Sequence, residues 1–232
     1  VVLSGEKMTT PRFDVFLAGA SRGVGREIAQ ILTAQSLQVR ALLRSEASRF
    51  DLEAMGIEAV IVDALDAAGV EAAVLEKPIR TVISTMGGMP QGSERVDYLG
   101  NKNLIDAAVK AGVQKFILVS SIGAGNSIVA LSPQVLEVLG SVLAEKEKAE
   151  QHLMNSGLTY TIVRPGGLKS EPATGNGVLT EDPKISGTIH RADVAQLVCR
   201  CLSNDRTNHK IFSAIDLAMP HTQAEFVAFS WE

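Results

Sequence analysis

The stretch "FLAGASRGVGREIA", residues 16–29, decides how the whole chain is read. A short apolar run leads into Gly19, Gly23 and Gly25, and an amphipathic segment follows at once. That order puts a glycine-rich turn between a strand and a helix, where backbone N–H groups and the helix dipole attract phosphate. Gly19 permits the tight turn, while Gly23 and Gly25 let backbone and helix approach closely. Placed after a first strand and opening a helix, the pattern is far more specific than glycines alone.

Outward from this loop, strands are expected in "FDVFLA", "LQVRALL", "IEAVIVD", "PIRTVIST", "KFILVSS" and "LTYTIVRP". Amphipathic stretches near residues 23–35, 46–55, 66–76, 94–110 and 134–155 alternate with them, and a helix near 191–202 and a strand "HKIFSAI" follow. Such interleaving predicts one α/β domain over residues 12–216, with a Rossmann-like, doubly wound parallel sheet. Ile57 to Val62 and Phe116 to Val119 are nearly continuously apolar, as strands covered on both faces should be. Residues 166–187, "GGLKSEPATGNGVLTEDPKISG", break the rhythm, and their length and Gly/Pro content predict a mobile substrate flap. Residues 217–232 read as a C-terminal tail. Val1 is not a translation start, so residues 1–11 read as a disordered N-terminus, either added by cloning or left from a processed precursor. A cytoplasmic setting follows, or the chloroplast stroma if there was such a precursor.

The 232 residues are 46% hydrophobic, ample for one core, and carry a net charge of −4 without a basic block. Neither nucleic acid nor a polybasic membrane surface is indicated. No apolar run is long enough for a transmembrane segment. Cys199 and Cys201 lie two apart on an expected helix, on different faces, with no His or Cys cluster at metal-ligand spacing nearby. They read as inert buried thiols, and no metal is expected.

The second strand ends "RALLRSEA", and Arg44 stands where an NAD-preferring protein usually offers an acid to the ribose hydroxyls. Arg44, with Arg22 in the glycine loop, can pair with a 2′-phosphate, so the expected cofactor is NADP(H). Asp63, ending the third strand, either accepts from the adenine amine or caps the following turn.

The motifs "GASRGVG", "DYLGNKNLIDAAVKAGVQKFILVSS", "SGLTYTIVRPGG" and "IHRADVAQLV" together make the chain resemble the short-chain dehydrogenase/reductase superfamily, in its atypical, NAD(P)-binding, NmrA-like branch. Within that branch it is similar to the biliverdin-IXβ/flavin reductases and to the nucleotide-binding domain of a chloroplast translocon component. The loop departs from the atypical pattern: Arg22 replaces a Gly and Gly23 is added. The resemblance implies cofactor contacts from Gly19, Ser21, Arg22, Gly23, Val24 and Gly25, and from Arg44, Asp63 and Ala64. It also implies them from Thr85, Met86 and Gly87 at the fourth strand end, from Ser120 and Lys146, and from Pro165, Gly166 and Gly167. The alternatives at "STMGG" and at the Pro-Gly step are plain turns.

The superfamily's usual chemistry needs a Ser, a proton-donating Tyr and a Lys four residues beyond it. "YLGNK" supplies Tyr98 and Lys102 at that spacing but precedes the fifth strand, whereas the family's pair follows it. The pair therefore reads as a decoy at an ordinary helix start. By its distance from "SGLTYTIVRPG", Lys146 matches the family lysine, and four residues before it stands Val142, which has no proton to give. Ser120 and Ser121 are the catalytic candidates, facing nicotinamide and acceptor, unless they merely satisfy backbone groups. His190 and Asp193 are expected to serve a helix N-terminus, with Arg191 pairing locally. Two functions are open. One is NADPH-dependent reduction of a flat conjugated acceptor (flavin, quinone or bilin) that takes its proton from water. The other is an NADP(H)-binding regulator or assembly factor without turnover, which would meet a protein partner through the apolar tail "AEFVAFSWE".

Overall fold

In the computed structural model, which describes residues 13–87, 96–222 and 225–232, the opening strand β1 (Phe13–Ala18) buries both its faces. Val15 and Leu17 enter one core layer, Phe16 and Ala18 the other. The expected N-terminus, residues 1–11, lies outside the described residues, and so does Glu94, where the fourth helix was expected to begin.

The chain continues through α1 (Gly23–Ala34), β2 (Val39–Leu43), α2 (Arg49–Glu53), β3 (Glu58–Ile61), α3 (Ala67–Leu75) and β4 (Ile79–Ser84). Then come α4 (Leu99–Ala111), β5 (Lys115–Val119), α5 (Pro133–Met154), β6 (Tyr160–Pro165), β7 (Gly167–Lys169), β8 (Gly177–Thr180), β9 (Thr188–His190), α6 (Arg191–Leu202) and β10 (Lys210–Asp216). α5 starts where Ser132 accepts from Val135 N and Pro133 occupies the first turn, where its missing N–H costs nothing.

The main sheet runs β3-β2-β1-β4-β5-β6-β10-β8. Its first seven strands are parallel, with Val15 opposite Val39 on one side and Thr81 on the other. Strand order reverses at β1, so the crevice between the C-terminal ends of β1 and β4 is the switch point at which such sheets bind ligands. α1 and α6 pack on one face, α3, α4 and α5 on the other. The doubly wound expectation is met, with two differences.

First, the stretch expected as a flap contributes two short strands to the fold. β8 pairs antiparallel with β10 and gives an otherwise parallel sheet its last strand, and β7 pairs with β9 in a second small sheet. Between them, residues 170–176 are exposed, but Asp193 accepts from the N–H groups of Thr174 and Gly175, both at 2.9 Å, and so anchors the turn. Second, the apolar tail lies against its own chain. Phe229 N donates to Leu179 O at 2.7 Å, Thr180 Oγ1 donates to Val227 O at 2.9 Å, and Phe229 and Trp231 pack on the core beside Phe212. The aromatic residues of the tail are thus half-buried against their own chain. Among the described residues no helix is long and apolar enough to cross a membrane.

Candidate functional site

The glycine loop joins β1 to α1 at the switch point, and its glycines are there for want of space. Gly19 has φ +90°, and a Cβ on it would sit 2.4 Å from Thr85 Oγ1; a Cβ on Gly25 would sit 2.1 Å from Gly19 O. The loop is thus folded tightly on itself and on the end of β4. α1 begins without a side-chain cap and without an acid in its first turn, which leaves the positive end of its dipole for an incoming anion. Val24 is buried in the core, so it offers a ligand only its backbone, whereas Ser21 and Arg22 are exposed.

Arg44 is exposed one residue past β2, and among the described residues neither it nor Arg22 is drawn into an ion pair. Both remain free for a phosphate. Asp63 Oδ1 accepts from Leu65 N at 2.9 Å, so the turn-capping role is realised, with the second oxygen left over. Ala64 is buried and its carbonyl accepts from Asn103. Thr85 spends its hydroxyl on Ala18 O and Gly19 O, both at 3.2 Å, which makes its side chain a buttress of the loop.

Beside this loop the ends of β4 and β5 meet α5. Lys146 is 13% exposed, and its Nζ lies 3.1 Å from Oδ1 of Asp97, itself 1% exposed. Gly87, with φ +131°, passes over the pair, and a Cβ there would fall 2.3 Å from Asp97 Oδ1 and 2.6 Å from Lys146 Nζ. Ser120, Asp97, Asn101 and Lys146 line one small pocket, and the buried Ser120 Oγ has no hydrogen-bond partner there. A buried hydroxyl without a partner is costly unless a ligand satisfies it. Ser121 differs from its neighbour, since its Oγ donates to Ile122 O at 3.0 Å. Of the two serines expected to face the reaction, only Ser120 has its hydroxyl to spare.

Pro165 closes β6 and accepts from Ile122 N, which ties it to the end of β5. Gly166 is needed for a different approach from the one expected, because a Cβ there would lie 2.1 Å from Gly187 O. Gly167 N donates to the same carbonyl and its own surface is exposed. Val142 is buried on α5 a turn before Lys146, so no hydroxyl stands at that place. Tyr98 packs edge-on against His152, and Lys102 pairs with Asp106 at 2.7 Å, so these two form no catalytic couple.

Three residues were missed or misplaced by reasoning from sequence. Asp97 adjoins the decoy Tyr98 in "VDYLGN", and nothing in the spacing tells that it meets Lys146. Asn101 holds the β4 end in place, accepting from Ser84 Oγ at 2.6 Å and donating to Asp97 O at 2.7 Å. Arg191 was expected to pair locally; it does donate to Leu168 O and Ser170 Oγ, but its Nε also lies 3.6 Å from where a Cβ of Gly23 would be. A third cation thus overlooks the glycine loop. His190 caps α6 by position and Asp193 lies in its first turn, where a carboxylate suits the dipole, while its oxygens also accept from the 174–175 backbone.

A family model described as NAD(P)H-binding matches residues 19–205. A Bacillus subtilis protein, YhfK, described as an uncharacterised sugar epimerase, is 34% identical over 90% of this chain and 97% of its own. Sanguinarine reductase of Eschscholzia californica is 31% identical over 88% of this chain and 89% of its own. The chloroplastic protein TIC 62 of Oryza sativa is 31% identical over 87% of this chain, which spans 46% of that longer protein. Among solved structures, ChuY from Escherichia coli O157:H7, an anaerobilin reductase, superposes with a TM-score of 0.81 at 33% identity, over 91% of this chain and 100% of its own.

Proposed function

The chain belongs to the NAD(P)H-binding family, in its atypical short-chain dehydrogenase/reductase branch, and from that premise we propose that it is an NADPH-dependent reductase of a flat conjugated acceptor, a flavin, a quinone or a bilin. The observation that carries the proposal is the Lys146–Asp97 pair beside the unpartnered Ser120 hydroxyl, in a site where Val142 leaves no phenol. Bound NADPH supplies the hydride. The residues of the chain do the rest by holding and orienting.

Gly19, Gly23 and Gly25 admit the pyrophosphate to the N-terminus of α1, where backbone N–H groups and the dipole hold it. Arg44 and Arg22 hold the 2′-phosphate by charge-assisted hydrogen bonds, the basis for NADPH over NADH. Lys146, held by Asp97, donates to the ribose. Ser120 Oγ donates to the acceptor. Because, among the described residues, no phenol stands one turn before Lys146 to protonate an alkoxide, the chemistry suits an acceptor whose reduced form takes its proton from water. Two relatives named as reductases support this direction. Epimerisation by the superfamily's route would need a proton-transferring group where Val142 stands.

The test is NADPH oxidation by the purified protein with FMN, quinones, bilins and aldehydes. A conjugated acceptor should accelerate it without added metal, and aldehydes should not. Tight NADPH binding with no acceleration by any acceptor would replace the reductase with a nucleotide-binding regulator.

A further inference from the structure

Past Ser121 the chain enters a second cavity, of about 400 Å³, whose two walls differ in character. On one side stand Val129, Ala130, Leu131 and Val135, and on the other Lys184 and His221. Two of its lining residues, Ala130 and Leu131, also pack on the buried cluster of Ile122, Ile185 and Ile215, and Ile122 stands two residues past Ser120. The volume falls in the range of small-molecule sites, which combine an apolar lining with a few polar groups that fix orientation.

The apolar wall extends into an open lip. Ile128 is 48% exposed, Val129 65% and Val138 68%, a run of bare aliphatic surface of the kind that marks a binding site. On the facing wall Lys184 is exposed and no ion pair holds its ammonium among the described residues. The nearest acid in sequence, Asp182, accepts from the backbone N–H of Lys184 at 2.9 Å. His221 is fixed by Thr188 Oγ1 at 3.0 Å, and its backbone N donates to Ser186 O, so this side of the lining is tied down at the backbone while Lys184 supplies its charge.

We propose that this cavity is the acceptor site and that it selects a planar conjugated molecule with an anionic edge, a carboxylate or a phosphate, whose apolar body lies on Val129, Leu131 and Val135 while its anion meets Lys184. The proposal rests on the reductase reading and narrows it. A cationic ring system would set like charges together, and a neutral one would leave Lys184 without a partner.

Equilibrium titration separates the two ideas, because it needs no turnover. FMN and riboflavin share one ring and differ by a phosphate; a bilin and its dimethyl ester differ by two carboxylates. The protein with NADP⁺ bound should hold FMN about five- to tenfold more tightly than riboflavin, and the bilin acid more tightly than its ester, with both preferences shrinking as salt is raised. Lys184→Glu should bring each ratio to one or below, while the same reversal at Lys110, on the last turn of α4, should leave both ratios standing. A phosphate-bearing acceptor preferred without a carboxylate-bearing one would assign the flavin arm, and the converse the bilin arm. Equal affinities within both pairs, or ratios untouched by Lys184→Glu, would overturn the proposal. Failure of every acceptor to oxidise NADPH, with the FMN preference intact, would sink the reductase reading and keep the anion-selective site.

Discussion

Lys146 and Asp97 meet at 3.1 Å although they come from different helical neighbourhoods, and the pair is nearly closed off from solvent. Removing one partner from such a site leaves the other with an uncompensated charge. Asp97→Asn should therefore raise the Michaelis constant for NADPH several-fold and lower turnover less, since the lysine loses its fixed position and not its ammonium; equal losses in both constants would count against a positioning role. Arg44→Ala should weaken NADPH by about ten- to a hundredfold, in line with the ~1.5 to 3 kcal/mol of a charge-assisted hydrogen bond, and leave NADH almost as before. Calorimetry with both nucleotides decides it. On the far face, burial pushes the thiols of Cys199 and Cys201 from 9.0 up to about 12. The folded protein then keeps these protons where the unfolded chain has lost them, so their contribution to stability is whole below pH 9 and declines as pH rises toward 12. Urea midpoints at alkaline pH should fall less steeply in a Cys199→Ala, Cys201→Ala variant than in the parent.

The β1–α1 turn could be foreseen because its glycines answer to a local demand. Gly25→Ala should cut NADPH affinity more than tenfold, as its methyl group would strike the backbone carbonyl of Gly19 rather than a yielding side chain. The placement of Arg44 just past β2 and of Val142 one turn before Lys146 was legible for the same reason, each being fixed by its place relative to a strand end or a lysine one turn on. β8 was not legible. "GVLT" is short, sits in a stretch rich in Gly and Pro, and becomes a strand only because β10 offers it an edge. Asp97 and Arg191 were hidden likewise, since their partners arrive from distant segments. The motif arginine of "TIVRPGG" shows what such distance conceals. Arg164, 4% exposed, makes a two-pronged pair with Glu150 at 2.9 and 2.6 Å and donates to Asn126, joining β6, α5 and the turn between β5 and α5. Glu150→Ala should cost about 3 to 5 kcal/mol, the usual loss when a buried ion pair is broken on one side, measured as a lower denaturation midpoint.

For the whole molecule, the fold class and the alternation of parallel strands with helices were readable, because strands covered on both faces must be apolar throughout and helices must connect them. The end of the sheet was not, and there the tail matters. Phe229 stacks edge-on against Phe212 at 4.9 Å and Trp231 at 5.2 Å, and the Arg200 guanidinium lies 3.9 Å from the Trp231 ring centre. Through Phe229 N and Val227 O the tail also occupies hydrogen-bonding groups of Leu179 and Thr180, the outer side of β8. An outermost strand with open N–H and C=O groups is a template on which another chain can add itself. Residues 226–232 therefore shield part of that outer edge: trimmed of them, the protein should remain folded but self-associate through the bared edge of β8, seen as concentration-dependent light scattering that the untrimmed protein does not give.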